Sequence, residues 1–356
     1  MSNAATIYIA GVGMLTPIGA SAVMTTASVK AGISAQQLSH HESRQGDPIT
    51  MTQIPQPLFE ELTVKIEPGT YYREQYDRII KMAIYAMRDA LDNVAVDSPI
   101  PLILSMPEPA SQPKPMSARL LAEQLLAVGQ FPIDAKHIRC FYTGRAAAIH
   151  GVMQAYHYLE QSAYDYVLIG GSDSYHTSSQ LAQLDKDDRL LTSTNKNGFA
   201  PGEGAGFLLL TRHRDKALCQ NGHIIAIHPP GIGEEEGHLY SPRPYLGNGL
   251  DAAFKQALAG YRGAPISTVY SSMNGEHFWT KEYGVALTRN ASYFSDKLVI
   301  EHPADCYGDL GAATGSVLVG LSALALLQEK TPSSQLVYSS SDRETRAAVC
   351  LERVPL

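Results

Sequence analysis

Two tight, glycine-containing turns carry residues of this sequence that could do chemistry. The first reads CFYTG at 140–144 and offers Cys140 as a nucleophile. The second reads CYGDLGAATG at 306–315 and offers the carboxylate of Asp309. Each turn opens a helix of small residues, and a helix N-terminus concentrates N–H groups that lower a cysteine pKa or hold an oxyanion. Close helix packing without chemistry is the alternative interpretation, because glycine is common at helix ends.

A third segment, MNGEH at 273–277, adds a carboxylate at Glu276 and an imidazole at His277. The four cysteines are scattered along the chain and form no CxxC pair. This spacing favours a reducing compartment and predicts no disulfide framework and no metal site. We expect no cofactor.

Charge and length exclude several classes of protein. The 356 residues include 28 Lys plus Arg and 35 Asp plus Glu, so the net charge is 28 − 35 = −7. An acidic chain is a poor match for nucleic acid, and no basic run indicates a membrane surface. The apolar stretch 310–327 is 18 residues long, at the lower limit for a membrane span, and acidic residues precede it. We predict a buried core helix there and a cytoplasmic protein.

The elements that must position these turns alternate between strands and helices. Apolar runs predict strands at 8–15, 101–105, 166–171, 206–210, 268–273 and 336–341, and helical spacing predicts a helix over 75–93. Loops are expected at 106–117 and 228–247. This alternation indicates an α/β fold with buried sheets. Because each glycine turn is followed by a core helix and a buried strand, we predict two duplicated halves, residues 1–215 and 216–356.

The segment NGFAPGEGAGFLLL at 197–210 resembles the glycine-rich signature of β-ketoacyl-acyl carrier protein synthases, condensing enzymes of the thiolase superfamily. Its glycines precede the predicted strand at 206–210, which is the wrong context for a phosphate loop. Further segments resemble the family in the same order: GVGMLTPIG (11–19), YDRIIKMAIYAMRDAL (76–91), YVLIGGSDS (166–174), MNGEH (273–277) and YGDLGAATG (307–315). The resemblance implies a five-layered αβαβα thiolase-like fold. It also implies a homodimer, or a heterodimer with a condensing-enzyme paralogue.

The resemblance also implies that the catalytic positions of the family have changed here. The nucleophilic cysteine corresponds to Phe141, the two histidines to Glu276 and Asp309, and the supporting lysine to Ala304. The gate near the C-terminus corresponds to 341–344. A benzyl group forms no thioester, and a carboxylate at neutral pH only accepts hydrogen bonds. One unit-charge repulsion of a forming enolate would cost on the order of 4 kcal/mol at an effective dielectric near 20.

We therefore expect a catalytically degenerate relative that acts through its surface. It would be the partner of an active paralogue, as chain-length factors are, or an accessory protein of a bacterial secretion gene cluster, with acyl carrier protein as a further partner. An alternative is an active acyltransferase or 3-oxoacyl-acyl carrier protein synthase with Cys140 as displaced nucleophile and His277 as base. A third possibility is that Glu276 and Asp309 form a carboxylate pair for general acid/base work.

Overall fold

The computed structural model describes residues 6–59, 62–64, 73–109, 117–161, 164–331 and 333–356, so most of the loop predicted at 106–117 lies outside the described residues. The helices are α1 (Ala22–Lys30), α2 (Arg73–Leu91), α3 (Ala118–Gly129), α4 (Ala147–Gln161), α5 (Ser178–Lys186), α6 (Asn248–Leu258), α7 (His277–Arg289), α8 (Ala304–Tyr307) and α9 (Thr314–Gln328). The strands are β1 (Ile7–Leu15), β2 (Gln37–Glu42), β3 (Pro48–Met51), β4 (Ile100–Ser105), β5 (Ile133–Phe141), β6 (Tyr166–Ser174), β7 (Glu203–Thr211), β8 (His223–Ile227), β9 (Gly231–Glu234), β10 (Ile266–Ser271), β11 (Phe294–Glu301), β12 (Ser334–Ser340) and β13 (Thr345–Pro355).

The main sheet has a symmetric strand order that reveals a duplication. The order is β11-β10-β12-β13-β8-β1-β7-β6-β4-β5, and β9 pairs with β13. Reading outwards from the centre, β1-β7-β6-β4-β5 repeats the pattern β8-β13-β12-β10-β11. The outer three strands of each set are parallel, and the pairings nearer the centre are antiparallel. Two repeated α/β halves are thus present as predicted, whereas the boundary at residue 215 stays a prediction.

Five layers follow from where the helices pack. Helices α4 and α9 share one apolar cluster with the inner faces of both sets of strands. Helices α2 and α3 cover the outer face of the first set, and α6 and α7 cover that of the second set. Helix α9 belongs to the segment 311–328, which is long and apolar enough to cross a membrane but is 83% buried inside the protein. Its apolar surface is used in packing, as expected for a core helix.

Several sequence predictions shift in detail. The glycine-rich segment does not precede its strand, because β7 begins at Glu203 and so contains most of GEGAG. Glycines fit this strand because the backbone of β7 lies close to its neighbours; a Cβ at Gly206 would meet Val317 and Ser316 of α9. The irregular region 228–247 contains the short strand β9, which pairs with β13. The remaining predicted strands and the helix at 75–93 are confirmed within a few residues.

The two turns have matching backbones. Gly144 and Gly311 adopt φ values of 52° and 53°, and each opens a single 3₁₀ turn before its core helix. Positive φ favours glycine because a Cβ would crowd the following carbonyl. The helices meet closely at Gly315, where a Cβ would lie 2.9 Å from the carbonyl oxygen of Arg145. The small residues of the sequence therefore serve close packing.

Candidate functional site

A cluster of buried ionic side chains joins the two turns. We call it the ion cluster, and its members are Arg145, Arg189, Glu276, Asp309 and Asp342. Arg145 follows the first glycine turn, and its Nη1 donates to Asp309 Oδ2 of the second turn at 2.7 Å. Its Nη2 donates to Asp342 Oδ1 at 2.6 Å, and its Nε donates to the carbonyl of Ser340. The guanidinium of Arg145 thus connects the two halves of the fold.

Arg189 lies beyond α5 and binds two carboxylates. Its Nε and Nη2 donate to the two oxygens of Glu276, each at 2.8 Å, which is the bidentate geometry that favours an arginine over a lysine. Its Nη1 donates to Asp342 Oδ2 at 2.6 Å. Asp342 therefore lies between the guanidinium groups of Arg145 and Arg189. This arrangement compensates three buried carboxylates with two cations and several neutral donors.

Neutral donors complete the ion cluster. Asn274 Nδ2 donates to Asp309 Oδ2 at 2.8 Å and to Glu276 Oε2 at 3.1 Å. Trp279 Nε1 donates to the same Glu276 oxygen at 3.0 Å, and the Trp279 ring packs against the Arg145 guanidinium at 4.6 Å. Asn274 thus bridges Glu276 and Asp309, and the structure places both carboxylates in one cluster. An amide lies between them, and each carboxylate also binds a guanidinium.

The electrostatics of the ion cluster favour charged, mutually compensated groups. Burial acts to raise the pKa of Asp342, but the guanidiniums of Arg189 and Arg145 outweigh it and lower that pKa. Burial acts to lower the pKa of Arg145, but Asp342 and Asp309 raise it further above its usual range. Buried charges are tolerated when they are paired and hydrogen-bonded.

Little space remains between the two turns. A cavity of about 20 Å³ is lined by Gly144, Arg145, Asp173, Gly311 and neighbouring residues. That volume holds roughly one water molecule. Asp173 is almost fully buried, and burial raises its pKa to about 7 although Ala312 N and Ser174 N donate to it. Burial likewise raises the pKa of Glu108 beside Gly144.

Phe141 and Cys140 lie on opposite faces of β5. The Phe141 ring packs on His150 of α4 at a centroid distance of 4.9 Å. It contributes to the core between the two sets of strands. Cys140 packs against the apolar cluster under α2 and α3. Burial raises the pKa of its thiol, which disfavours the thiolate that a nucleophile requires.

His277 and Ala304 lie elsewhere. His277 is the first residue of α7 and is exposed, and its backbone N–H donates to Asn197 Oδ1 at 2.8 Å. No contact between His277 and Cys140 is found among the described residues, so the structure does not bring the displaced pair together. Ala304 begins α8, and its carbonyl oxygen accepts from Gln36 Nε2 at 3.4 Å.

The sequence motifs do not identify the two arginines of the ion cluster. Arg145 and Arg189 were not predicted, and Asp342 was noted only as part of the altered gate at 341–344. A signal was present at Arg145, because a lone arginine within the small-residue run GRAAA must either reach solvent or find buried partners. Arg189 lies in the charged run DKDDR, where nothing distinguishes it from a surface residue.

The glycine-rich segment at 197–210 contacts the second turn through its backbone. Gly202 N donates to the carbonyl of Asp309, and a Cβ at Gly202 would meet carbonyl oxygens of Tyr307 and Asp309 within 3 Å. Glu203 is fully buried and ion-paired with Arg78 of α2, and it also accepts from Ile54 N at 2.8 Å. The segment therefore holds the second turn in place through backbone contacts.

Ketosynthases are among the solved structures with this architecture. The ishigamide ketosynthase/chain length factor superposes with a TM-score of 0.73 at 17% identity, covering 98% of each chain. The ketosynthase in complex with its chain length factor from Xenorhabdus doucetiae gives 0.71 at 16% identity and 99% coverage of each chain. The ketosynthase from module 6 of the bacillaene synthase from Bacillus subtilis 168 gives 0.75 at 16% identity, covering 98% of this chain and 72% of that one. The protein has the thiolase-like fold.

Sequence matches agree with that fold. Residues 140–216 match the family described as the N-terminal domain of β-ketoacyl synthase. A putative mitochondrial 3-oxoacyl-[acyl-carrier-protein] synthase from Schizosaccharomyces pombe is 27% identical over 166 residues, which is 41% of this chain and 38% of that relative. The chain therefore matches well under two thirds of this curated relative. Part of the chain, residues 140–216, is thus similar in sequence to the β-ketoacyl synthases, as its motifs predict.

Proposed function

We propose that this protein is a catalytically degenerate ketosynthase relative that acts as a non-catalytic partner of an active condensing enzyme. The observation that supports this most is the ion cluster, which fills the region where the resemblance would put the two catalytic histidines. The cavity beside it is about 20 Å³, too small for the acyl group of a thioester.

The chemistry of the ion cluster argues against condensation. A forming enolate needs preorganised donors that are not already in use. The donors of Arg145 and Arg189 are committed to carboxylates and carbonyls, and Asn274 bridges two carboxylates. A further negative charge here would be disfavoured, because three carboxylates are already compensated by only two guanidiniums.

Acyl transfer can be tested directly. We expect intact mass spectrometry after incubation with acyl-acyl carrier protein to detect no covalent adduct, in the wild type as in Cys140→Ser. We also expect iodoacetamide to label the exposed Cys219 before the half-buried Cys140. A stable acyl group that is lost in Cys140→Ser would refute the proposal and favour the displaced nucleophile.

The partner surface that we propose is the β5–α4 face. Strand β5 is the last strand at its end of the sheet, so its outer backbone groups have no strand partner among the described residues. Two large apolar side chains are exposed beside it, Tyr142 at 42% and Met153 at 52%. Met153 lies three residues after His150, on the same face of α4. The ring of His150 packs on Phe141 of β5. Pairing with a paralogue would cover both the edge and these side chains.

The pairing can be tested with a matched surface control. Co-expression with a condensing-enzyme paralogue should give a co-purifying complex, detected by light scattering after size exclusion. Met153→Glu places a charge in the β5–α4 face and should abolish the complex. Val23→Glu changes a side chain that is 72% exposed on α1, which packs against α9 and β1, and should leave the complex intact. Equal complex formation by both variants would exclude the β5–α4 face.

A further inference from the structure

A second, larger cavity lies on the outer side of the ion cluster. Its volume is about 200 Å³, and residues of α5, the loop around Tyr240 and the segment after β12 line it, among them Tyr175, Gln180, Asp187, Tyr240 and Arg343. Since a water molecule takes roughly 30 Å³ in the liquid, this space accommodates a short organic group. The cavity lies outside the region that the ion cluster fills.

The residues that line this cavity include Arg343, Gln180 and Tyr175, whose side chains can donate hydrogen bonds. Arg343 Nε is buried and has no hydrogen-bond partner among the described residues, while its guanidinium packs on the Tyr240 ring at 5.0 Å. The side-chain oxygen of Gln180 accepts from Gln75 and Thr177, so its amide nitrogen is left as a donor. Burial keeps the pKa of Tyr175 well above its usual value, so its hydroxyl stays protonated and able to donate.

The carboxylates around the cavity already accept hydrogen bonds from protein donors. Both oxygens of Asp342 accept from guanidinium groups. The oxygens of Asp187 accept from Gln183 Nε2 at 3.0 and 3.1 Å, and one also accepts from the Tyr240 hydroxyl at 3.2 Å. A ligand for this cavity must therefore bring acceptors. Because Asp187 and Asp342 also line the cavity, a ligand with one negative charge fits better than one with two.

We infer that this cavity is a binding site for a carboxylate group, with Arg343 as the ionic partner and Tyr175 and Gln180 as further donors. Arginine suits the role because its planar donors match the two oxygens of a carboxylate. The carboxylate belongs either to a small organic acid or to the end of a peptide, and both present the same two oxygens. This inference goes beyond the proposed pairing function and does not depend on the β5–α4 face.

Calorimetry with matched probes tests the assignment. Propionate should bind and neutral propionamide of similar shape should not, because only propionate supplies an anionic acceptor. Arg343→Gln should weaken propionate binding about 10-fold or more, since a hydrogen bond to a charged group is lost. Tyr175→Phe should weaken it less. Arg243→Gln removes a guanidinium that is 63% exposed and paired with Glu236 in the same loop region, and should bind as the wild type does.

Two further probes show whether the carboxylate belongs to a peptide or to a small acid, and whether another anion binds in its place. A short peptide with a free C-terminus that binds more tightly than propionate, and loses binding when amidated, identifies a peptide carboxylate. Peptide binding no tighter than that of propionate identifies a small acid. Inorganic phosphate that binds while propionate does not overturns the inference, and so does equal propionate binding by Arg343→Gln and Arg243→Gln. Circular dichroism of each variant separates lost binding from lost folding.

Discussion

The two glycine turns are alike in backbone at Gly144 and Gly311 and opposite in side-chain chemistry. Each passes through a left-handed glycine and a 3₁₀ turn into a core helix. The first turn contributes an apolar ring at Phe141 and a cation at Arg145, and the second contributes the anion of Asp309. Glycine and small residues preserve the geometry of the duplicated scaffold, while the side chains beside them decide whether the meeting point is a reactive site or an ion pair.

The core helices that follow these turns differ in the same way. Helix α9 is buried at 12 of its 15 positions. Helix α4 leaves Met153 exposed, on the stripe of the half-buried His150. The second half therefore buries its core helix within this chain, whereas the first half leaves one side of its helix to solvent or to a partner. This difference is the reason for assigning the partner surface to the first half.

The largest effect is expected from breaking the link between the two turns. Arg145→Met leaves Asp309 and Asp342 buried with less compensation, and we expect a loss of about 3–5 kcal/mol in unfolding free energy, measured by urea denaturation. Arg119→Met, which changes an 89% exposed side chain, should leave the transition unchanged.

A double variant sharpens the test of this ion pair. Adding Asp309→Asn to Arg145→Met removes one of the orphaned charges, so the combined loss should be smaller than the sum of the single losses. Strict additivity would show that the ion pair does not couple the two turns.

Alanine substitutions at Gly144 and Gly311 should have smaller effects on stability, and the two effects should differ. At Gly144 a Cβ would lie 3.2 Å from Glu108 Cγ, so Gly144→Ala should cost about 1–2 kcal/mol, mostly for the left-handed backbone. At Gly311 a Cβ would overlap Asp173 Oδ2, so Gly311→Ala should cost roughly 1–3 kcal/mol more. Denaturation curves of both variants measure the difference.

Gly32→Ala is the matched control for the backbone contribution. Gly32 has φ +67°, and a Cβ there would meet nothing within 4 Å. Its cost should equal that of Gly144→Ala. A Gly311→Ala variant as stable as Gly32→Ala would mean that Asp173 moves aside at little cost, and would contradict the expected difference between the two turns.

A pH dependence is expected at Asp173, whose carboxylate accepts hydrogen bonds from Ala312 N and Ser174 N. Burial raises the pKa of Asp173 to about 7, above the value near 3.9 of an unfolded chain. The native state then holds a proton that the unfolded state has lost, so this contribution is full below pH ~4 and is lost as the pH rises through ~7.

The matched comparison for this prediction is Asp173→Asn, which removes the titrating group. Between pH 5 and pH 8 the wild type should lose more unfolding free energy than the variant, measured by urea denaturation at both values. Equal changes in the two proteins would contradict the raised pKa of Asp173.

The sequence predicted the scaffold well for an identifiable reason. Hydrophobic periodicity indicates where helices and strands lie. The glycines at 144, 202 and 311 indicate where the backbone needs a left-handed conformation or a close approach, and both requirements belong to the fold itself. The motifs left a Glu276–Asp309 pair as one possibility among three. The edge strands β5 and β11 were not predicted, because their mixed polar and apolar residues show no regular alternation.

The counter-ions of the site could not be predicted from the sequence. Arg145, Arg189 and Asp342 come from three distant parts of the chain, and only the tertiary fold brings their side chains together. Cys140 and His277 looked reactive by residue type alone. Their environments, an apolar cluster and an exposed helix start, depend on packing that no short motif encodes.

Strand β1 has a consequence for how the chain reaches its native state. It is the first strand along the chain, yet its two neighbours are β7 and β8, with pairs such as Tyr8 with Thr211 and Ile7 with Ile227. During synthesis this apolar segment has no strand partner in the main sheet until some two hundred further residues have emerged. Loop closure over such separations is slow, so we expect β1 to join the sheet only after β7 has been synthesised.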